Sequence, residues 1–139
     1  MHSRLYWQIH TLAFLLEKSA DENLKEQVEL GFAQYKVIEA IGRNMHAKQN
    51  AIAEMLDQTE ASISRQIKIL QRKKLIHVDM VMGNKRAREL SLTELGERQL
   101  RQCQEILELT HAKVFGGLSY DEQRYFQALF DRMIENARS

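Results

Sequence analysis

The sequence predicts one mainly α-helical domain with a small β-hairpin, and three observations support that prediction. The chain has 139 residues, the length of a single domain. It contains no proline and only 6 glycines, which favours long unbroken helices over a turn-rich β fold. Apolar residues recur every three or four positions through most of the chain, whereas two short β-prone stretches lie next to each other in its second half.

Composition excludes several classes of protein. Hydrophobic residues make up 44% and charged residues 28%, as in ordinary folded domains, so disorder is excluded. Cys103 is the single cysteine and no secretory leader is visible, so we expect a reducing cytoplasm. No apolar run approaches the roughly 18 residues of a membrane span. We therefore expect no membrane partner.

Charge is distributed unevenly along the chain. The net charge is only +1, which by itself predicts no polyanionic partner. Residues 57–92 hold eight basic and four acidic side chains, a net charge of +4, and the remainder carries −3. A basic middle between acidic flanks is typical of nucleic-acid-binding domains, although a shift of this size is weak evidence alone.

The first predicted helix spans residues 3–29, with Gly31 expected to end it. One side carries a continuous apolar stripe: Leu5, Ile9, Leu12, Leu16, Ala20, Leu24 and Val28. Further apolar side chains lie off that stripe, namely Tyr6, Trp7 and Phe14. This exceeds what one small neighbour covers, which favours a partner subunit. The alternative is a long helix wrapped by the chain's own C-terminal helices.

A helix-turn-helix pattern follows. After a helix with Tyr35, Ile38 and Ile41 on one side, a short helix over residues 49–56 and a longer one over residues 60–73 are joined by the three-residue turn 57–59. Thr59 is expected to cap the longer helix, whose first residue, Glu60, suits the positive end of its dipole.

The remaining elements are a hairpin and two helices. Residues 76–82 and 87–92 are β-prone, and the tip between them, residues 83–86, begins with the hairpin dipeptide Gly-Asn. A basic hairpin directly after a helix-turn-helix is a winged helix. Thr93 is then expected to cap a long helix that Gly116 and Gly117 stop. Ser119 and Glu122 have the spacing of a capping box for the last helix.

One side of helix 60–73 is a candidate DNA-binding surface. At about 100° per residue, Ile63, Ile67 and Leu70 share the buried side. Ala61, Arg65, Lys68 and Arg72 share the opposite side, flanked by Ser62 and Ser64. A major groove admits one α-helix, in which small residues allow close approach and arginine binds guanine. The alternative is a merely solvated basic face.

The hairpin supplies further candidate contacts. Lys85, Arg86 and Arg88 are long cations at or beside its tip, where they would reach phosphates or a minor groove. A solubilising turn is the competing interpretation. The complete set of candidate DNA-binding residues is Thr59, Ala61, Ser62, Ser64, Arg65, Lys68, Arg72, Asn84, Lys85, Arg86 and Arg88.

From Ile52 to Gly96 the chain resembles the MarR family of bacterial transcriptional regulators, and the resemblance extends over nearly the whole chain. It rests on the order and spacing of five short motifs: Ile52-Ala53 with Leu56; Thr59 through Ser64-Arg65 with Leu70 and Leu75-Ile76; Asn84-Lys85-Arg86-Ala87; Leu92-Thr93 with Gly96; and Leu118-Ser119 with Glu122. The resemblance implies a homodimer with a β wing that binds a pseudo-palindromic operator. It also implies release of the operator when a small-molecule effector occupies a pocket between the dimerisation and DNA-binding parts.

Three positions depart from the family's pattern. The glycine that tends to precede the leucine-isoleucine pair is Lys74, the arginine shortly after the pair is Val78, and the wing aspartate is Asn84. An amide holds the wing's arginine less strongly than an aspartate would. The departures therefore bear on how the wing is positioned and leave the helix-turn-helix unaffected.

The sequence accordingly predicts a DNA-binding regulator, a repressor acting as a homodimer, and no enzyme. No P-loop, G-x-S-x-G, H-E-x-x-H or paired-cysteine motif is present, and no cofactor is expected. Residues 1–139 form one domain in this interpretation, with a winged helix-turn-helix over 32–92 and dimerisation helices over 1–30 and 93–139. Two alternatives stay open: a dimeric protein-interaction module without operator binding, and a small metal-dependent enzyme. His10 and His111 are candidates for a metal or ligand pocket, and the competing interpretation is that each is a lone surface or interface histidine.

Overall fold

The chain forms six α-helices and three β-strands in residues 1–81 and 84–139, which the computed structural model describes, with the backbone alone for residues 84–86. In order they are α1 (His2–Val28), α2 (Phe32–Arg43), β1 (Ala47–Lys48), α3 (Gln49–Met55), α4 (Glu60–Arg72), β2 (Ile76–Val81), β3 (Asn84–Leu92), α5 (Glu94–Phe115) and α6 (Tyr120–Arg138). The predicted mainly α-helical fold with a small β-hairpin is confirmed.

The end of α1 differs from the prediction that Gly31 would stop it. The helix ends at Val28, and Glu29 takes the left-handed conformation that usually falls to glycine, with φ 58°. Gly31 instead precedes α2, where its N–H donates to Gln34 Oε1 at 3.2 Å. Residues 29–31 connect the two helices, and Leu30 among them lies in the core. Long as it is, α1 lacks the hydropathy to cross a bilayer, as do the other described helices.

The sheet has one strand more than the sequence predicted. Its order is β1-β3-β2 and both pairs are antiparallel. The added strand β1 is two residues long, with Ala47 opposite Leu90. The predicted tip over residues 83–86 is also corrected, because β3 already begins at Asn84, which pairs with Val81. Gly83 itself lies outside the described residues.

The core lies between the helix-turn-helix, the sheet, the second half of α1 and the middle of α5. Ile63, Ile67 and Leu70 of α4 are buried in it, as the helical periodicity predicted. Cys103 of α5 is buried too, and burial raises the pKa of its thiol to about 11. The thiol is therefore a packing group at neutral pH, with little thiolate for oxidants to attack.

The junction between α4, β2 and α5 is tightly packed. A Cβ on Gly96 would lie 2.0 Å from the carbonyl oxygen of Leu75, so α5 approaches the backbone of the α4–β2 connection as closely as glycine allows. Thr93, the predicted cap, accepts from Gly96 N–H at 2.9 Å, and its own N–H donates to Leu75 O at 3.0 Å. The orientation of α4 is thus tied to the first turn of α5.

Candidate nucleic-acid interface

The turn between α3 and α4 has a defined backbone geometry. Gln58 N–H donates to Ala53 O at 2.9 Å and Asp57 N–H donates to Glu54 O at 3.1 Å, which is the Schellman motif that ends a helix. Asp57 takes the left-handed conformation this motif requires, with φ 51°. The predicted cap is present, because Thr59 Oγ1 accepts from Ser62 N–H at 3.1 Å. The start of α4 is thereby fixed relative to α3.

The other end of α4 is closed by the same motif. Leu75 N–H donates to Leu70 O and Lys74 N–H donates to Gln71 O, both at 3.0 Å. Lys74 has φ 62°, so this departure from the resembled family's pattern puts a side chain where glycine is favoured. Lys73 Nζ donates to Glu29 O at 2.6 Å and joins this end of α4 to the end of α1.

The exposed side of α4 is a cationic face, by which we mean Ala61, Arg65, Lys68 and Arg72. All four are exposed and lie opposite the buried Ile63, Ile67 and Leu70, as the sequence predicted. Thr59 is exposed at the beginning of the face, and Ser62 and Ser64 are half-buried on its flanks. The structure therefore brings together on one helix the seven candidate residues that the sequence assigned to it and to its cap.

The wing candidates are described only in part. Arg88 is exposed on β3, opposite Met80 of β2. The side chains of Asn84, Lys85 and Arg86 lie outside the part of the chain that the structure describes. Their contacts with DNA stay a prediction.

Sequence reasoning missed Gln58. The hydroxyl of Ser62 donates to Gln58 Oε1 at 3.1 Å, so the amide of this turn residue folds back over the first turn of α4. The sequence does contain a signal for this hydrogen bond. An amide and a hydroxyl lie four residues apart across a predicted helix start, and side chains at that spacing can hydrogen-bond. Ser62, a predicted contact residue, is therefore engaged inside the protein.

A second surface lies away from the cationic face. The first half of α1 and the whole of α6 present apolar side chains to solvent, and α6, all of which the structure describes, buries no residue. Between them runs an apolar groove of about 490 Å³, lined on one side by Leu5, Ile9 and Leu12 of α1 and on the other by Phe126, Phe130 and Met133 of α6.

The two histidines considered for a metal pocket contact aromatic rings. His10 lies against Tyr6 and Trp7, with ring centroids 6.0 and 5.6 Å apart, and His111 lies 6.3 Å from the Phe115 ring. Within the described ranges, no three His, Cys, Asp or Glu side chains are grouped so as to hold a metal ion.

A helix-turn-helix followed by a β wing, with helices on both sides, defines the chain as a winged-helix protein. Comparison with solved structures shows which known proteins share this fold. E. coli MarR complexed with operator DNA superimposes with a TM-score of 0.82 at 20% identity, covering 94% of this chain and 93% of that one. S. aureus MepR in a DNA complex gives 0.80 at 22% identity, covering 94% and 96%. Streptococcus pneumoniae FabT in complex with DNA gives 0.83 at 16% identity, covering 99% and 98%.

A relative found by sequence similarity is a transcriptional regulator. The transcriptional regulator HosA of Escherichia coli is 26% identical over 125 residues, which cover 90% of this chain and 93% of the relative. No protein-family model matches the chain. The resemblance to the MarR family that the motifs indicated is confirmed in the fold, which this chain shares with MarR-family regulators over nearly its whole length.

Proposed function

We propose that the chain is a sequence-specific DNA-binding transcription regulator that acts as a homodimer. The cationic face of α4 carries this proposal. It combines a small residue, Ala61, with three exposed cations on a helix whose two ends are fixed by hydrogen bonds. Such a helix fits a major groove, where arginine binds guanine O6 and N7. Residues 32–92 would be the DNA-binding part.

The relatives support this function. MarR, MepR and FabT, which share the fold, are each described as bound to DNA, and HosA is a transcriptional regulator. None of them is described as an enzyme, which agrees with the absence of catalytic motifs from the sequence. Double-stranded DNA is therefore the partner that we propose for this chain.

The homodimer rests on the outer surface. Exposed apolar residues on a monomer are ordinarily scattered, whereas here several of them line one groove between the first half of α1 and α6. A second copy would bring the same two helices and cover the groove with like apolar surface. Residues 1–30 and 93–139 would then be the dimerisation helices, and two α4 helices would bind the two half-sites of a pseudo-palindromic operator.

Arg65→Ala tests the proposed function. We expect discrimination between an operator and a random duplex to fall by roughly 1–3 kcal/mol per half-site, the range for one bidentate base contact. The operator is obtained by selecting duplexes from a random-sequence library with the purified protein, and affinities are measured by fluorescence anisotropy. Arg101→Ala, which removes an exposed arginine of α5, is the control and should bind like wild type.

The same measurement separates the competing function. The net charge of +1 and the neutral Asn84 in the wing keep open the alternative of a dimeric protein-interaction module without operator binding. Phosphate contacts are strongest at low salt. If the wild-type protein binds no duplex at low salt, the module is the better interpretation and DNA regulation is wrong.

The proposal includes two further properties, namely that the protein represses transcription and that it responds to an effector. Both are implied by the resemblance to the MarR family, and no cofactor is needed for either. A reporter gene behind the selected operator should be less active when the protein is expressed. Activation instead would contradict repression, and a screen of small molecules for release of the operator would test for an effector.

A further inference from the structure

Gln58 occupies the turn just before α4, and its side chain has a fixed direction. The amide is half-buried, and its Oε1 accepts from the Ser62 hydroxyl at 3.1 Å. Its backbone is held as well, because Gln58 N–H donates to Ala53 O at 2.9 Å. With the carbonyl oxygen anchored, the Nε2 group points away from the bond to Ser62. Within the part of the chain that the structure describes, Nε2 donates no hydrogen bond.

The bond to Gln58 changes what Ser62 offers. A serine hydroxyl has one hydrogen to donate, and Ser62 donates it to Gln58. The Ser62 N–H is also engaged, since it donates to Thr59 Oγ1 at 3.1 Å. Towards a ligand Ser62 therefore presents lone pairs only. Gln58 Nε2 therefore adds a side-chain donor at this end of α4, where the hydroxyl of Ser62 offers none.

We propose that Gln58 contacts DNA, donating its Nε2–H to an acceptor on the duplex, and that Ser62 is the positioning residue that aims this amide. The inference rests on the proposed function and adds to it a contact from the turn preceding α4. The acceptor belongs either to a base edge in the major groove or to a phosphate, and the experiment distinguishes the two.

The charges around the turn oppose a contact with DNA that no hydrogen bond supports. The exposed side chains next to Gln58 include two carboxylates, Asp57 before it and Glu60 after it. These repel a polyanion, so close approach at this point of α4 needs a hydrogen-bond donor. A half-buried, anchored amide loses little side-chain entropy on binding, which strengthens the contact it makes.

Two substitutions at Gln58 separate the donor from the rest of the side chain. Gln58→Glu keeps an oxygen for the Ser62 hydroxyl and replaces the NH₂ donor by a negative oxygen. Gln58→Met keeps the length and removes both polar atoms. The control is Gln71→Glu, which makes the same change of charge at an exposed position near the far end of α4. Unchanged melting temperatures would show that the variants are folded.

We expect Gln58→Met to weaken binding of the selected operator about tenfold, the value of one or two lost hydrogen bonds across a dimer. Gln58→Glu should weaken it further, and at least about tenfold more than Gln71→Glu, because the carboxylate repels the acceptor that the amide contacted. Loss of affinity for the operator alone assigns a base-edge acceptor. Equal loss for operator and random duplex assigns a phosphate.

The positioning role of Ser62 is tested by a double-mutant cycle. Ser62→Ala removes the hydroxyl and leaves the backbone bond to Thr59, so binding should weaken about threefold in the wild-type background and hardly at all in Gln58→Met. Ser62→Thr keeps a hydroxyl and should restore most of the affinity. Equal effects of Ser62→Ala in both backgrounds would overturn the positioning role.

The failure of this inference and the failure of the proposed function give different results. If Arg65→Ala weakens operator binding while both Gln58 variants bind like wild type and Gln71→Glu, the contact by Gln58 is wrong and DNA regulation stands. If wild-type protein selects no duplex from the library, the proposed function fails, and the contact by Gln58 fails with it.

Discussion

The winged-helix part of the molecule and its outer helices differ in how their apolar surface is covered. Helices α2, α3 and α4 each bury residues against one another and against the sheet. α6 buries none, and α1 buries only Ala20 and Leu24, both in its second half. The apolar surface of the winged-helix part is therefore covered by other residues of the same chain. The first half of α1 and the whole of α6, which we call the outer region, leave apolar side chains exposed that the described part of the chain does not cover.

The boundary between the two regions runs across α1 and α5. Asn23 Nδ2 donates to Thr110 Oγ1 at 2.8 Å, and Thr110 Oγ1 donates to Ile106 O at the same distance. Leu24 is buried beside this polar contact, and Leu12, three turns earlier, is exposed. Because polar groups inside a helix interface fix its register, this contact holds α1 against α5 where intramolecular packing ends.

The largest expected effect is on dimerisation, and it comes from a charged substitution in the groove between α1 and α6. Phe130 of α6 lines the groove with α1, and Phe130→Asp places a charge in the apolar surface that a second copy would cover. An unpaired buried charge costs several kcal/mol, so we expect dimerisation to weaken about a hundredfold or more and light scattering to report a monomer.

Tyr125→Asp is the control for this variant. Tyr125 is exposed on α6 and does not line the groove, so the dimer should persist. A fully dimeric Phe130→Asp protein would show that the groove is not the interface between subunits.

The next prediction tests the close contact between the start of α5 and the α4–β2 connection. Gly96→Ala puts a Cβ 2.0 Å from the Leu75 carbonyl oxygen, so the start of α5 must move away from the α4–β2 connection. We expect the free energy of unfolding to fall by about 3 kcal/mol, the upper part of the usual overpacking range. Urea denaturation measures this change.

Gly117→Ala is the matched substitution, because a Cβ there meets nothing within 4 Å. Its unfolding free energy should stay within about 0.5 kcal/mol of wild type. Equal losses in the two variants would mean that the close approach at Gly96 does not limit packing.

A third prediction concerns Cys103, which α5 contributes to the hydrophobic core. Burial raises the pKa of Cys103 from 9.0 to about 11, and the thiol of the unfolded chain ionises first. Its contribution to stability is thus fully present below pH 9 and is lost as the pH rises through the folded-state value. The loss should reach about 2 kcal/mol at pH 11.

Cys103→Ala isolates this contribution from other groups that titrate in the same range. The difference in unfolding free energy between wild type and Cys103→Ala should narrow or change sign from pH 8 to pH 11. A constant difference would indicate that water reaches the thiol.

The smallest effect is expected at the end of α4. Lys74→Gly relieves a left-handed backbone with φ 62° and should raise the unfolding free energy by about 0.5–1 kcal/mol, the left-handed penalty less the added entropy of an unfolded glycine. Asp57→Gly makes the same change at the end of α3, where φ is 51°. Aspartate tolerates this conformation better, so its gain should be smaller, and the reverse order would contradict the strain at Lys74.

Most of the fold could be predicted from the sequence because helix caps and buried helix faces depend on residues that are close together in the chain. The caps at Thr59, Thr93 and Ser119 each depend on a residue three positions away. The buried side of α4 follows from helical periodicity alone. What was missed depends on distant partners: β1 exists because Ala47 pairs with Leu90, and two residues carry no periodicity to reveal a strand.

The candidate site was predictable to the same extent. The direction of Arg65 follows from its angle to Ile63. The orientation of Gln58 does not follow from the sequence, because it depends on whether the Ser62 hydroxyl donates to a group of the protein or to a ligand. Glu29 is a second example. A residue other than glycine in the left-handed conformation gives no signal in the sequence, so the end of α1 was predicted from Gly31 instead.

The capping box of α6 has a consequence for how fast two chains associate. Ser119 N–H donates to Glu122 Oε1 at 2.9 Å and Glu122 N–H donates to Ser119 Oγ at 3.1 Å, so the first turn is stabilised without any burial. A helix that forms before it meets a partner pays little ordering entropy during the encounter. We therefore expect the association rate to vary with protein concentration in a single second-order phase, with no slow first-order step of helix formation following the encounter.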